Sequence, residues 1–200
     1  MRRSSPFVRS VLIPVLACVL LWPFAAPADE GSGSPKLEEM MAAFLKASSP
    51  GPQHEFLKSQ VGTWTIRNTL YMGPGDPQVS EATAEVTSIL GGRFLQERYS
   101  GTMMGMPFQG IALTGYDNVR KTYIGTWMDS LSTGIVMMEG TADASGKKIT
   151  WTGTATDPMT GKTMKIRMVA ALSDASRSVE FYETREGKES KTMEMVYTRK

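Results

Sequence analysis

Three observations on this 200-residue sequence predict an all-β fold: a closed up-and-down antiparallel barrel of about ten strands behind a short N-terminal helical segment. First, hydrophobic spacing changes from a helical period to strict alternation near Val61. Second, turn-forming clusters then recur at short intervals as far as the C-terminus. Third, no stretch between those clusters has the length or pattern of a crossover helix, so strands adjacent in sequence must pair antiparallel. Closure follows because it leaves no strand edge exposed.

The N-terminus reads as a leader. Arg2, Arg3 and Arg9 precede the apolar stretch from Val11 to Phe24, and Ala26-Pro27-Ala28 follows as a small-x-small site. That order predicts a secretory signal peptide over residues 1–28. Pro14 and Pro23 interrupt the apolar stretch, which is also short for a spanning helix, so no stable membrane insertion is expected after cleavage. The expected location is the bacterial periplasm or exterior. Val15-Leu16-Ala17-Cys18 faintly resembles a lipoprotein box, but apolar sequence continues past Cys18, where a lipidated N-terminus turns polar. Cys18 is the only cysteine. The mature domain therefore has no disulfide, no thiolate nucleophile and no Cys-ligated metal. The formal net charge is +2, and the leader carries three arginines and no acid. The mature surface is thus close to neutral and offers no nucleic-acid footprint.

Residues 29–52 form a linker and a short amphipathic helix. Residues 29–35 are Gly- and Ser-rich. Leu37, Met40, Met41, Phe44 and Leu45 then fall at helical spacing over Lys36–Ala47, and Ser48-Ser49-Pro50-Gly51-Pro52 ends the helix. The barrel domain spans 53–200. It opens with one or two helical turns to Gln60 that turn Phe56, Leu57 and Val61 inward. Strands are then predicted over 61–72, 79–90, 92–101, 107–116, 121–129, 134–143, 147–156, 162–173, 177–185 and 189–199. The separators include Gly73-Pro74-Gly75, Gly91-Gly92, Met104-Gly105, Asp117-Asn118 and Glu186-Gly187. Alternation supports the strands. Trp64, Ile66 and Leu70 share one face against Thr63, Thr65, Arg67 and Thr69, and Ile166, Met168, Ala170 and Leu172 oppose Lys165 and Arg167.

In a closed barrel with an even number of strands, the first and last strands are antiparallel neighbours. Gly62-Thr63-Trp64 then lies beside Arg199, and the guanidinium covers the indole face. Gly62, Trp64 and Arg199 are accordingly expected to close one end structurally, leaving the opposite mouth for a ligand. Gly-x-Trp behind a short helix, with a basic residue on the final strand, resembles the signature of the calycin superfamily of lipocalins, fatty-acid-binding proteins and nitrobindins. An ordered set of segments is more specific: His54-x-x-Leu57, Gly62-x-Trp64, Gly91-Gly92-Arg93-Phe94-Leu95, Pro107-Phe108-x-Gly110, Gly115-Tyr116-Asp117 and Tyr123-x-Gly125-x-Trp127-x-Asp129. Over about residues 53–199 it resembles the bacterial family called domain of unknown function 1579. The resemblance implies a lipocalin-like barrel and carries no established activity. Nitrobindins bind haem through a histidine late in the chain. The late strands here have none, so haem is not expected, nor any other cofactor.

The residues that could carry chemistry are few. His54 is the only histidine, which rules out a multi-histidine metal site, and its place before the barrel reads as structural. Met103-Met104-Gly105-Met106 lacks the His or Cys that usually completes a copper site, so it reads as packing or cavity lining. No complete catalytic motif is present, and no metal site is predicted. The polar and aromatic set Arg93, Glu97, Tyr99, Phe108, Tyr123, Trp127 and Asp129 is the candidate ligand cavity. Arg93, Glu97 and Tyr99 share one strand face, as do Tyr123, Trp127 and Asp129. Asp117 reads as a turn residue bonding its own backbone. The leading expectation is binding of a small, partly apolar molecule inside the barrel. The alternatives are a cofactor-independent isomerase or lyase using Arg93 and the carboxylates, and an envelope interaction protein, with a homodimer among the partners considered.

Overall fold

The computed structural model describes residues 36–73 and 75–200, so the expectations for the signal peptide, Cys18 and the linker lie outside the described residues. Two helices, α1 (Leu37–Ser48) and α2 (Pro52–Lys58), precede ten strands. The strands are β1 (Gly62–Leu70), β2 (Gln78–Ile89), β3 (Phe94–Met103), β4 (Met106–Asp117), β5 (Thr122–Asp129), β6 (Val136–Ala142), β7 (Lys148–Thr156), β8 (Thr163–Leu172), β9 (Ser176–Arg185) and β10 (Lys188–Arg199). They close into a barrel in which every strand pairs with its sequence neighbours and β10 returns to β1. The expected all-β architecture is the observed one, and a closed ten-strand barrel fits a calycin-like fold.

Strand boundaries match the turn chemistry within a few residues, with one instructive difference. Residues 92 and 93 are not part of β3. Leu90, Gly91 and Gly92 all take positive φ (50°, 67° and 87°), making a tight turn, and Arg93 follows in a helical conformation. The strand therefore begins at Phe94, and Arg93 does not share the inward face of Leu95, Glu97 and Tyr99.

The closing seam is antiparallel, with Trp64 opposite Arg199, Ile66 opposite Tyr197 and Asn68 opposite Met195. Trp64 is fully buried and its indole N–H donates to the Gln60 carbonyl at 3.0 Å. The Arg199 guanidinium lies 4.3 Å from the Trp64 ring. It donates to the carbonyls of Val61, Ser59 and Asp174, each at 2.6 Å. Gly62, at φ 142°, is required here, because a Cβ would meet Arg199 Nη1 at 2.6 Å. α2 packs against β3 and β4 at this end of the barrel. His54 serves it locally: Nδ1 accepts the Gly51 N–H at 3.0 Å, and the ring meets Tyr116 edge-on. Gly62, Trp64 and Arg199 thus meet at the β1–β10 seam, beside the helix that leads into β1.

Inward-facing positions form the core. Ile66, Ala82, Ala84, Val86, Leu95, Ile149, Trp151, Ala170 and Val179 are buried, while Thr63, Thr65, Arg67 and Lys165 on the alternate positions are exposed. α1 behaves differently. Its apolar residues Leu37, Met40, Met41, Phe44 and Leu45 are 50–75% exposed, so this amphipathic helix does not bury its apolar face on the barrel.

Candidate functional site

The inward faces of β3, β9 and β10 bring together three polar side chains that are remote in sequence. Glu97 and Arg177 form an ion pair at 2.8 Å, and their side chains are only 13% and 12% exposed. The Tyr197 hydroxyl donates to the other oxygen of Glu97 at 3.1 Å. The Arg177 guanidinium lies 3.7 Å from the Tyr197 ring centre and 5.5 Å from that of Trp64. β3 and β9 are separated around the wall by β2, β1 and β10, so this pair spans the lumen rather than the wall. Burial works against the Arg177 charge, but the Glu97 carboxylate and the Tyr197 hydroxyl outweigh it, and its pKa ends above the ordinary value. The Tyr197 hydroxyl is pushed well above the usual tyrosine range, by burial first and then by the Glu97 charge.

Beside this group, Asn68 Nδ2 donates to the Tyr99 hydroxyl at 2.7 Å. Burial, with a further contribution from Glu97, raises the Tyr99 pKa against the opposing hydrogen bond from Asn68. Two buried atoms of this cluster, Arg177 Nε and Asn68 Oδ1, have no hydrogen-bond partner among the described residues. Buried polar atoms are nearly always paired, so two in one lumen call for an explanation.

Above the polar group the lining is aromatic and sulfur-rich. Tyr99 meets Phe108 and Trp127 edge-on at 5.6 and 6.1 Å, and Phe108 stacks on Trp127 at 6.2 Å. Gly110 is the seat of the Trp127 ring: a Cβ there would lie 2.1 Å from it. The Trp127 indole N–H donates to Asp129 at 2.8 Å, and the other Asp129 oxygen accepts the Leu131 N–H at 2.9 Å. Asp129 is therefore both rim turn and indole anchor. Further round, Trp151 faces Tyr123, and Met138, Met168, Phe181 and Met193 point inward against the core while remaining only partly buried. Glu183, inward on β9, carries a carboxyl raised by burial and pairs with Arg185 at 2.8 Å.

Of the predicted cavity residues, Glu97, Tyr99, Phe108, Trp127 and Asp129 converge along one side of the lumen. Tyr123 faces inward, stacked edge-on with Tyr116 at 4.9 Å. Arg93 lies outside: its guanidinium donates to Ser48 O at 3.0 Å and to Leu90 O at 3.2 Å. It caps α1 instead of facing a ligand. Asp117 does what its turn position implies, accepting the Val119 and Arg120 N–H groups. Of the Met cluster, Met103 packs on the core, whereas Met104 and Met106 are about half exposed at the mouth. The residues not anticipated are Arg177, Tyr197 and Asn68. Their signal was available, because Arg177 alternates with Val179 and Phe181, and Tyr197 with Met195 and Met193, which puts polar groups on apolar faces.

Two concavities lie elsewhere, one on the outer wall and one beside α2. A groove of about 980 Å³ crosses the outer wall over Leu113, Ile124 and Met137, flanked by the ion pairs Arg120–Glu139 and Arg167–Glu189. A smaller one of about 530 Å³ lies between Phe56 of α2 and Tyr116, Tyr123 and Ala142.

The crystal structure of Rv2717c from M. tuberculosis is similar, with a TM-score of 0.58 and 14% identity over 76% of this chain and 99% of that one. At that identity the likeness speaks for the fold alone. No curated protein matches the chain. The model of the DUF1579 family, described as protein of unknown function, matches residues 49–199, from the loop before α2 to the last residue of β10, and the chain belongs to that family.

Proposed function

We propose that the protein is exported to the periplasm and there binds a small, partly apolar molecule in the barrel lumen. One observation carries this reading. Inward-facing Trp127, Met138, Met168, Phe181 and Met193 are only partly buried, above a buried polar group with unpaired atoms. A core filled by its own side chains would bury the first and pair the second. Methionine and aromatic residues suit such a lining, since they adapt to ligand shape and contribute large apolar contact area. The polar group then orients the head of the ligand, as the few polar groups of apolar pockets do. Native purification followed by mass spectrometry is expected to find a retained small molecule. A Met168→Trp variant, which fills the lumen, is expected to lose it. A preparation that retains nothing, and whose melting temperature no amphiphile moves, overturns the reading.

The exposed apolar face of α1 favours a second, compatible reading: two copies associate through that helix. Light scattering should then find a dimer that dissociates when residues 29–48 are deleted. A monomer at every concentration tested rejects it.

A further inference from the structure

We propose that the lumen selects an uncharged amphiphile, a hydrocarbon body with a hydroxyl or carboxamide head, over a carboxylate or ammonium of equal length. This inference rests on the lumenal binding proposed above, and it follows from the charge and hydrogen-bond inventory of the polar cluster.

The one buried cation in the cluster, Arg177, is already matched by Glu97 at 2.8 Å. The pair is neutral as a unit. An arriving carboxylate would place a second negative charge close to Glu97 in a poorly solvated space, where like charges resist joint ionisation. An ammonium head would meet the Arg177 guanidinium under the same penalty. Neither charge has an unmatched counter-charge within the cluster.

What the cluster does offer is neutral hydrogen bonding of both senses. Asn68 Oδ1 is a buried acceptor without a donor, and Arg177 Nε–H is a buried donor without an acceptor among the described residues. The Tyr99 hydroxyl accepts from Asn68 Nδ2 at 2.7 Å, which leaves its own proton to donate. Asn68 and Tyr99 are therefore adjacent, one presenting an acceptor and the other a donor. A hydroxyl or carboxamide head carries both the donor that Asn68 Oδ1 lacks and an acceptor for the Tyr99 proton. An ester or ketone, which only accepts, leaves Asn68 Oδ1 unpaired, and a buried unpaired group is costly. Leu70 and Met193, one inward position further along β1 and β10, are half-buried and supply apolar contact for the body of the molecule.

The test is a titration of the purified protein at pH 7 with dodecanol and dodecanamide below their solubility limits, and with dodecanoate and dodecylammonium below their micelle-forming concentrations. Dodecanol and dodecanamide are expected to bind at least about tenfold tighter than either charged chain. In Glu97→Gln the Arg177 charge is uncompensated, and the preference should invert toward dodecanoate by about the same factor. Dodecanoate binding the wild type as tightly as dodecanol overturns the neutral-head inference while leaving lumenal binding intact. Binding of none of the four, or binding unaffected by Met168→Trp, overturns lumenal binding itself. Should Glu97→Gln fail to fold, the wild-type series decides alone.

Discussion

Arg177 and Glu97 are each tolerable inside the barrel only because the other is present. Removing one partner of a buried pair leaves the second charge uncompensated, so Arg177→Met should cost about 3–5 kcal/mol in urea denaturation. The double variant Glu97→Gln/Arg177→Met should recover most of that loss, and equal destabilisation by single and double variants would disprove the coupling. The tyrosines report the same interior. Burial is the largest cause raising the pKa of Tyr197, Tyr99 and Tyr123, with Glu97 adding to the first two and Tyr116 to the third. A folded-state pKa above the unfolded value means the stability is intact below about pH 10 and is lost as pH rises through the folded values. Ultraviolet titration of single Tyr→Phe variants should therefore assign to Tyr99, Tyr123 and Tyr197 an ionisation above the ordinary tyrosine range that accompanies unfolding. Ionisation of these three near pH 10 in a protein that stays folded would contradict it. Glu97, Tyr99, Phe108 and Trp127 were legible as an inward set because alternation within a strand is a local property. Glu97's partner was not, because it lies 80 residues away and the two meet only across the lumen. Arg93 misled because two glycines before it break the alternation that was extended through it.

At the scale of the element, β4 and β5 show how a glycine and an aromatic residue specify each other. A Cβ on Gly110 would lie 2.1 Å from the Trp127 ring. Gly110→Ala is thus expected to destabilise by about 1–3 kcal/mol and to shift tryptophan fluorescence. Gly134→Ala, where nothing lies within 4 Å, should do neither. Equal effects at the two sites would show that the ring is not held as described. α1 makes the opposite case. It touches the barrel through its C-terminal turn, where Arg93 and Asn118 Nδ2 bond the carbonyls of Ser48, Ala47 and Ser49. Deleting residues 29–48 should therefore move the melting temperature of the monomer by no more than about 2 °C. A large drop would mean the helix packs on the barrel after all. Its limits were readable from spacing and from the Ser-Ser-Pro-Gly-Pro break. Its exposure was not, since amphipathicity reveals that a helix has an apolar face and says nothing of what covers it.

For the molecule as a whole, the barrel was readable because its order is the simplest one available. Nine of the ten pairings join consecutive strands, so the turn clusters alone define them. How the inward side chains pack was not readable, because it depends on residues from distant strands meeting across the barrel rather than on any local pattern. The tenth pairing, β1 with β10, is held by Arg199 through three carbonyls and the Trp64 face. Arg199→Ala should cost about 2 kcal/mol. That seam also sets the order of events in time. Hairpins form locally within microseconds, whereas joining Thr65 to Thr198 must first bring together residues 133 apart, at a loop-closure cost that no local contact offsets. The ring should therefore close after the rate-limiting barrier. Arg199→Ala is expected to accelerate unfolding and leave the folding rate nearly unchanged, with a φ-value below about 0.3. A value near 1 would mean that the ends meet first and the staves assemble between them.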